Sequence, residues 1–249
     1  MNETINTINS LYTTHGNFST QDVKEEDMQT ILKTCVRAAN ASARQSYSIV
    51  VIRDRERIRQ LCGYTGSKAL LFCVDYNRIM DVSNHLGHDY KASGIADFIT
   101  GSTDTILAAQ TAAICARSLG IDSLFTNGIQ RGDINRIYDL VQLPEKGCFP
   151  LIMLVLGYAD KEPTYLKGRY RGKGLIHDEQ YQRCTERDLQ NLIAEYDDPS
   201  KKMGMIQDWE KHGFTHYLDW FFEKWIGKGE RPEKSQMLSL LERSGFLDW

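Results

Sequence analysis

The stretch GSTDTILAAQTAAICARSLG, residues 101–120, is the clearest helix in the chain. Ser102 or Thr103 has a side chain suited to cap its first turn, and Gly120 is suited to end it. Alanine, leucine and isoleucine fill the middle and leave little polar surface. We therefore expect this helix to be buried on most of its sides.

Apolar runs around this helix predict strands. Residues 47–52 (YSIVVI), 69–75 (ALLFCVD) and 149–157 (FPLIMLVLG) are short and apolar, and SLFTNG at 123–128 is a strand or a turn. Helical spacing predicts a helix over 19–39 capped by Ser19 or Thr20, a short one ending at Gly63, another near 132–140, and helices within 185–244. Residues 76–90 are ambiguous, with a helix favoured. Strands and helices interleave up to residue 157 and helices follow, which predicts a layered α and β domain with a helical C-terminal extension.

Composition excludes several classes of protein. The chain has 249 residues, 25% of them charged, and a net charge of −3, which suits one large or two small domains and argues against a general nucleic-acid binder. No apolar run approaches the roughly 20 residues of a spanning helix, and the N-terminus is too polar for a signal peptide. We expect neither a nucleic-acid nor a membrane partner.

The six cysteines form no CxxC pair, and three of them lie in apolar or alanine-rich runs. This pattern is typical of buried, reduced thiols and favours the cytoplasm.

A cationic stretch, YLKGRYRGKG at 165–174, is the main candidate for a binding site. Lys167 and Arg169 are two positions apart, so in an extended segment both side chains point to one side. Two convergent cations suit a phosphate monoester, and the neighbouring glycines let the backbone approach a ligand. The alternative is an ordinary solvated surface loop.

Other catalytic motifs are missing from the sequence. It contains no Walker loop, no GxGxxG after a strand and no GxSxG elbow. The histidine pairs His85/His88 and His212/His216 lack the glutamate of an HExxH site, so scattered histidines are favoured over a metal centre.

Several segments, taken in order, resemble the nitroreductase superfamily of FMN enzymes. They are LLFCVDYNR, SLGIDSLFTNGI, LVQLPEKGCFPLIMLVLGYAD, PTYLKGRYRGKGLIHDEQY and RPEKSQMLSLLERSGF. The resemblance is strongest to NADPH-preferring oxygen-insensitive nitroreductases and P-type flavin reductases. It implies an α+β homodimer with a central, mainly antiparallel mixed sheet flanked by helices. It also implies an FMN-binding core at 1–178 and, at 179–249, a helical extension that packs on the core and the partner.

The resemblance also implies which residues bind FMN. Lys167 and Arg169 correspond to the family's pair at the phosphate, and Gly168 stands where proline is usual. Backbone N–H groups of a turn after the long helix face the flavin ring, and a donor near N5 stabilises charge that develops there. The remaining implied contacts are Phe125, Thr126, Asn127 and Gly128 in that turn, Asn40, Ser42 and Gln45 from the partner protomer, and Thr65, Ser67 and Lys68 in the loop before the second strand.

The N-terminal box departs from the family pattern, in which serine and basic residues hold the phosphate and the pyrimidine edge of the flavin. This chain has Tyr12, Thr13, Thr14, His15 and Gly16 at the box. Thr14 keeps a hydroxyl, whereas Gly16 replaces the cation near flavin N1. Loss of that cation makes the flavin harder to reduce unless His15, Arg44 or Lys68 substitutes.

The function implied by the resemblance is hydride transfer from NADH or NADPH to FMN and then to a nitroaromatic, a quinone or a flavin in a ping-pong cycle. Lys201, Lys202 and Lys211 are the candidates for a 2′-phosphate site. The alternatives are a flavin-binding protein of low turnover, an FMN enzyme for another reductive or dehydrogenation reaction, and an unrelated interaction domain without flavin.

Overall fold

The computed structural model describes residues 2–92, 94–130, 133–226 and 236–247. By its internal contacts the chain divides into two compact units, Met1–Glu162 with Glu233–Trp249, and Pro163–Pro232. The boundary between the units lies before the predicted boundary at residue 178, and the last helix belongs to the first unit. That residues 1–178 bind FMN, and that residues 179–249 pack on this core and on a partner, stay predictions.

A four-stranded sheet forms the centre of the first unit, in the order β1-β2-β4-β3 with every neighbouring pair antiparallel. All three predicted core strands are confirmed, and the ambiguous fourth segment is a strand. One parallel bridge joins Thr13 to Ser123 and adds the N-terminal segment to the outer edge of the sheet. The strands are β1 Tyr47–Ile52, β2 Lys68–Asp75, β3 Asp122–Thr126 and β4 Cys148–Gly157.

Helices account for the rest of the regular structure. In the second unit the helix α8 continues as a π-helix, Phe221–Ile226. Within the described part of that unit all regular structure is helical, as the sequence predicted. The helices are α1 Glu3–Asn9, α2 Glu25–Cys35, α3 Arg55–Cys62, α4 Asn77–His85, α5 Gly94–Ser118, α6 Asn135–Val141, α7 Glu186–Asp197, α8 Tyr217–Trp220 and α9 Gln236–Arg243.

Both faces of the sheet are covered, which explains why its central strands are apolar on both sides. Leu70 and Phe72 of β2 pack on one face with residues of α2 and α5. Leu71 and Cys73 pack on the other face with residues of α3, α6 and α9. The result is a layered arrangement in which β2 is buried from both directions.

Two predicted helix starts were wrong. The long helix α5 begins at Gly94, and Thr103 lies within it, donating from Oγ1 to the carbonyl of Ile99 at 2.9 Å. The added first turns are held by packing, since Phe98 meets Phe149 edge-on at 5.1 Å. Ser102 is likewise inside the helix and not its cap. The end near Gly120 is confirmed, with φ +73° at that glycine.

The helix expected to start at Ser19 or Thr20 begins instead at Glu25, with Lys24 at the N-cap. The preceding segment is tied to the sheet and its loops. The Ser19 N–H donates to the Tyr158 carbonyl at 2.8 Å, and the Val23 N–H donates to Ser67 Oγ at 2.8 Å. Neighbouring parts of the chain therefore accept hydrogen bonds from backbone N–H groups that a longer helix would have paired within itself.

Cysteine placement agrees with the sequence. All six thiols are free, and five of them, all but Cys184, are buried. Burial raises the pKa of the Cys35 thiol to about 11, so it stays protonated at neutral pH. In the described ranges we find no helix with both the length and the apolar character needed to cross a membrane.

The second unit is organised around Tyr217, which is 3% exposed. Its ring stacks on Tyr196 at 5.6 Å and meets Trp209 edge-on at 5.7 Å. Asp197 accepts from the Tyr217 N–H at 2.8 Å and lies 2.6 Å from His216 Nδ1. That contact raises the pKa of His216, so this histidine has a structural role as the partner of Asp197.

Close packing of α5 on the sheet depends on Gly101. A Cβ at this position would lie 2.5 Å from Val74 Cγ1 and 3.0 Å from the Tyr76 ring. Replacing glycine by alanine in a helix normally stabilises it by about 1 kcal/mol. We expect Gly101→Ala to lower the free energy of unfolding by about 1–3 kcal/mol instead, because the added methyl overpacks the core.

Chemical denaturation measures this effect, with Thr103→Ala on the exposed side of α5 as the control. The control keeps or gains stability. A Gly101→Ala protein as stable as wild type would contradict the close approach.

Candidate functional site

The N-terminal box is fastened to the edge of the sheet through Thr14. Its N–H donates to the Ser123 carbonyl at 3.0 Å, and the residue is 6% exposed. Its hydroxyl Oγ1 is buried and has no hydrogen-bond partner among the described residues. Leaving a buried hydroxyl unpaired costs about 1–3 kcal/mol. The hydroxyl that the resemblance assigns to the phosphate site is thus buried without a partner among the described residues.

Tyr12 anchors the same segment through a partly buried charge cluster. Its hydroxyl donates to Asp122 Oδ1 at 2.6 Å, and Arg117 lies over its ring at 4.8 Å and donates to the same oxygen at 3.0 Å. Burial and then Asp122 raise the pKa of Tyr12 to about 12. The Tyr12 hydroxyl is therefore used within the protein, and a direct contact to cofactor stays a prediction.

Gly16 turns the chain at the end of the box. Its φ is +77°, its N–H donates to the Thr14 carbonyl at 2.8 Å, and a Cβ there would lie 3.2 Å from the Tyr64 ring. His15 beside it is exposed. The box therefore packs against the loop that precedes β2.

That loop contains three predicted cofactor residues in different settings. Thr65 is exposed, and Lys68 at the start of β2 is half-buried. Ser67 is 1% exposed, and its hydroxyl donates to Asp22 Oδ1 at 3.1 Å while accepting from the Val23 N–H. The Ser67 hydroxyl therefore joins two segments of the protein, and Thr65 and Lys68 are the side chains that remain accessible.

The turn after β3 meets the same loop. The Gly128 N–H donates to Thr126 Oγ1 at 2.8 Å, and a Cβ at Gly128 would lie 3.0 Å from the Cys62 carbonyl. Asn127 is exposed and Phe125 is half-buried. The box, the loop before β2 and this turn thus lie close together in the first unit, and their contact with FMN stays a prediction.

The segment 40–46 lies elsewhere in the same unit. It leads into β1, where Tyr47 pairs with Val74 near the far end of β2, whereas the loop before β2 adjoins Leu156 and hence Ser123. β2 has 8 residues, so at about 3.3 Å per residue its ends are roughly 23 Å apart. Within one chain, Asn40, Ser42 and Gln45 therefore do not join the box.

Both predicted phosphate-binding cations belong to the second unit. Lys167 Nζ donates to the Gly204 carbonyl at 3.0 Å, and Arg169 Nη1 donates to the carbonyls of Lys167 and Gly168 at 3.1 and 3.0 Å. Among the described residues neither cation forms a salt bridge. Their charge is not neutralised by the residues around them, as a phosphate site requires.

Gly168, which replaces the family's proline, fits its surroundings closely. Its N–H donates to the Lys202 carbonyl at 3.2 Å, a bond that proline cannot make. A Cβ at this position would overlap the Lys201 carbonyl oxygen and lie 2.9 Å from Met203 Cγ. The departure from the family pattern is thus matched by the local backbone.

Two buried carboxylates near the predicted site were not identified from the sequence. Asp122 holds the box, and Asp104 of α5 accepts hydrogen bonds from segment 40–46. Asp104 could have been found, because it is a lone carboxylate inside an otherwise apolar helical run. Asp122 gave no such signal, since it follows a helix end where polar residues are common.

Comparison with known proteins finds curated relatives that are named as flavin reductases and nitroreductases. It is 28% identical over 210 residues to an FMN reductase (NAD(P)H) from Bacillus subtilis, covering 80% of this chain and 81% of that protein. It is 29% identical over 189 residues to an oxygen-insensitive NADPH nitroreductase from Salmonella typhimurium, covering 73% and 74%. No family model matches the chain.

The fold also matches solved structures. Nitroreductase A from Vibrio parahaemolyticus superposes with a TM-score of 0.80 at 24% identity, over 99% of this chain and 98% of that one. The predicted nitroreductase-like fold is therefore confirmed, and so is the resemblance that the motifs indicated.

The setting of Gly168 makes a stability prediction for the second unit. Gly168→Ala forces its Cβ into the Lys201 carbonyl, so we expect a loss of about 1–3 kcal/mol in the stability of this unit. Hydrogen exchange of amides in 165–175 and 200–206 measures it, and Gly213→Ala, where a Cβ meets open space but φ is +81°, gives for comparison the effect of left-handed strain without a close contact. Unchanged protection around Lys201 in Gly168→Ala would contradict the close contact.

Proposed function

We propose that this protein is an FMN-dependent oxidoreductase that takes hydride from NADPH or NADH and passes it to a small aromatic acceptor such as a nitroaromatic, a quinone or a flavin. Relatives named as an NAD(P)H-dependent FMN reductase and an NADPH nitroreductase support this class of reaction. The observation in the chain itself that best supports it is the buried, unpaired hydroxyl of Thr14.

Thr14 fits an anionic ligand for two reasons. Its N–H is already used by Ser123, so only the hydroxyl is left to donate. A hydrogen bond from a hydroxyl to a phosphate oxygen is charge-assisted and is roughly twice as strong as a neutral one. We propose that this hydroxyl donates to the FMN phosphate and thereby removes the penalty of its burial.

In the second unit, the resemblance assigns Lys167 and Arg169 to an FMN phosphate. Among the described residues, each makes only backbone carbonyl contacts, which a phosphate can replace or supplement without breaking an ion pair. Bound FMN supplies the two-electron chemistry of the reaction. The chain's own residues hold it, orient it and keep water from the ring face.

The turn formed by Phe125, Thr126, Asn127 and Gly128 is proposed to lie beside the flavin ring. Its backbone shape is set in advance, because the Gly128 N–H is held by Thr126 Oγ1 and Gly128 has no room for a side chain against Cys62. A turn whose backbone is already fixed can present its N–H dipoles to the flavin without rearranging during the reaction.

The position of segment 40–46 supports a homodimer. A single chain holds Asn40, Ser42 and Gln45 roughly a strand length from the box, so a site that contains both sets draws them from two protomers. The helix α5 also carries exposed apolar side chains that a partner would bury: Ile95 at 49%, Ile99 at 59%, Ile106 at 52% and Leu107 at 41% exposure. Flavin at a two-fold interface satisfies both observations.

The choice between NADPH and NADH rests on weaker features. Lys201 lies 3.2 Å from Glu195, Lys211 lies 3.9 Å from Asp208, and Lys202 lies 4.3 Å over the Tyr165 ring. Two of the three candidates for a 2′-phosphate site are thus already paired with carboxylates.

Donor and acceptor would use the same ring face in turn, which gives ping-pong kinetics. The free, buried thiols support action in the reducing cytoplasm.

A second function is favoured by Gly16, which stands where the family has a cation near flavin N1. Without that charge the reduced flavin is less stable, so a flavin-binding protein of low turnover is the alternative. Anaerobic addition of NADPH or NADH to the yellow protein separates the two, because only the enzyme loses its flavin absorbance at a catalytic rate.

Removing the Thr14 hydroxyl should have opposite effects on stability and on affinity. We expect Thr14→Val to leave the ligand-free protein as stable as wild type or more so, because an unpaired buried hydroxyl is lost. FMN affinity should fall roughly ten- to a hundred-fold, the value of a charge-assisted hydrogen bond of about 1.5–3 kcal/mol. Fluorescence titration with FMN and thermal denaturation measure the two effects. Thr14→Ser keeps the hydroxyl and should bind FMN normally, and equal affinity of the valine and serine variants would remove Thr14 from the site.

Arg169→Ala should weaken FMN binding by a similar roughly ten- to a hundred-fold factor. The matched control is Arg171→Ala, which removes an exposed cation two positions along the same segment and should change affinity about two-fold or less. Equal losses in both variants would show that only the general charge of the segment matters.

A further inference from the structure

Asp104 is a carboxylate buried within the long helix α5, with 1% of its surface exposed. Its Oδ1 accepts from the Ala41 N–H at 2.8 Å, and its Oδ2 accepts from the Ser46 N–H at 3.1 Å. One side chain thus holds both ends of the segment 41–46.

The segment held in this way has an unusual backbone. Ser42, Ala43 and Gln45 have φ values of +52°, +56° and +49°, a left-handed conformation that side-chain-bearing residues rarely adopt. Each such residue costs of order 1 kcal/mol unless its surroundings enforce it. The structure must therefore contain contacts that compensate for three of them.

Those contacts converge on the segment from three sides. Besides Asp104, the Asn40 Oδ1 accepts from the Gln45 N–H at 3.2 Å, and Arg78 donates to the carbonyls of Arg44 and Gln45 at 3.2 and 2.6 Å. The consecutive N–H groups of Gln45 and Ser46 each face an oxygen of the protein. In other proteins such a concave arrangement of N–H groups binds anions. Here the side-chain oxygens of Asn40 and Asp104 occupy it.

We propose that Asp104 is a positioning residue for the cofactor: by clamping the Ala41 and Ser46 N–H groups it fixes the left-handed backbone that presents the exposed tip, Ser42 and Ala43, to the flavin. The inference rests on the proposed function, in which segment 40–46 contacts FMN. Asp104 itself is buried and acts only through the segment.

An aspartate suits this role because both of its oxygens accept. Asparagine has nearly the same shape but only one accepting oxygen, and its NH₂ group would face one of the two N–H donors. Asp104→Asn therefore breaks one half of the clamp without changing the volume of the core.

The matched control is Thr105→Val, which alters the next residue of the same helix. Thr105 is 0% exposed, and its hydroxyl bonds within the helix to the Gly101 carbonyl at 2.6 Å. The control removes a buried polar group from α5 without touching segment 40–46. Both variants can lose thermal stability, but only Asp104→Asn should alter the segment.

Two measurements on the full-length protein test the proposal. FMN titration should show a dissociation constant raised roughly ten-fold or more in Asp104→Asn and changed by about two-fold or less in Thr105→Val. Hydrogen exchange of the ligand-free protein should show faster exchange at the Ala41 and Ser46 amides in Asp104→Asn alone.

A rescue experiment separates positioning from a general loss of stability. Glycine adopts positive φ freely, so Ala43→Gly in the Asp104→Asn background lowers the need for the clamp. We expect it to recover roughly two- to five-fold in FMN affinity. No recovery, together with unchanged exchange at Ala41 and Ser46, would overturn the proposal.

A surface variant covers the case in which Asp104→Asn does not fold. Arg78 is exposed and holds the same segment from outside, so Arg78→Ala leaves the core intact and should also weaken FMN binding, by roughly three-fold or more.

If wild type binds FMN and both Asp104→Asn and Arg78→Ala bind it within about two-fold, the positioning role fails while the proposed function stands. If wild type itself binds no FMN, the proposed function fails and this inference fails with it.

Discussion

The close approach of α5 to the sheet is the constraint on which the first unit depends. Gly101 and the alanines at 108, 109 and 112 leave almost no side chain between this helix and strands β2 and β4. A helix packed so closely has little freedom to shift, because interiors are dense and adjust poorly to displacement. It can therefore hold other parts of the molecule in fixed positions, and Asp104 on its buried side does so for segment 41–46. The apolar residues on its outer side are exposed in the single chain.

In the proposed dimer, one small sheet would serve the cofactor from two directions. The box at Thr14, the loop before β2 and the turn at Gly128 converge on one region of the unit, whereas segment 40–46 leads into the far end of β2. A rigid strand cannot bring its ends together, so a second copy is the simplest way to unite the two groups. In that assembly the interface and the cofactor site would stabilise each other, because each protomer completes the site of the other.

Much of the fold and of the candidate site could be predicted from local sequence patterns, and the other features depended on contacts between distant parts of the chain. The strands follow from short apolar runs, and the end of α5 follows from Gly120, whose positive φ suits a helix end. The start of α5 was missed because Phe98 extends the helix by packing on Phe149, far along the chain. In the candidate site, the convergence of three segments followed the motif resemblance. The engagement of Tyr12 and Ser67 with carboxylates did not, because it depends on Asp122 and Asp22, to which the resemblance assigned no role.

The missing cation at Gly16 follows from the local structure as well as from the sequence. A side chain there would have to adopt a left-handed backbone and press on the Tyr64 ring at 3.2 Å, so the family's basic residue cannot simply be restored. Arg44 is committed elsewhere, since it lies near the far end of β2, donates to Tyr90 and approaches Asp97 at 4.0 Å. Lys68 starts β2 directly after the loop that Gly16 contacts, and it carries its charge at the same end of the sheet. In the proposed site, charge close to the flavin would therefore come from Lys68 in the same protomer, whereas Arg44 would contribute only across the proposed two-fold interface.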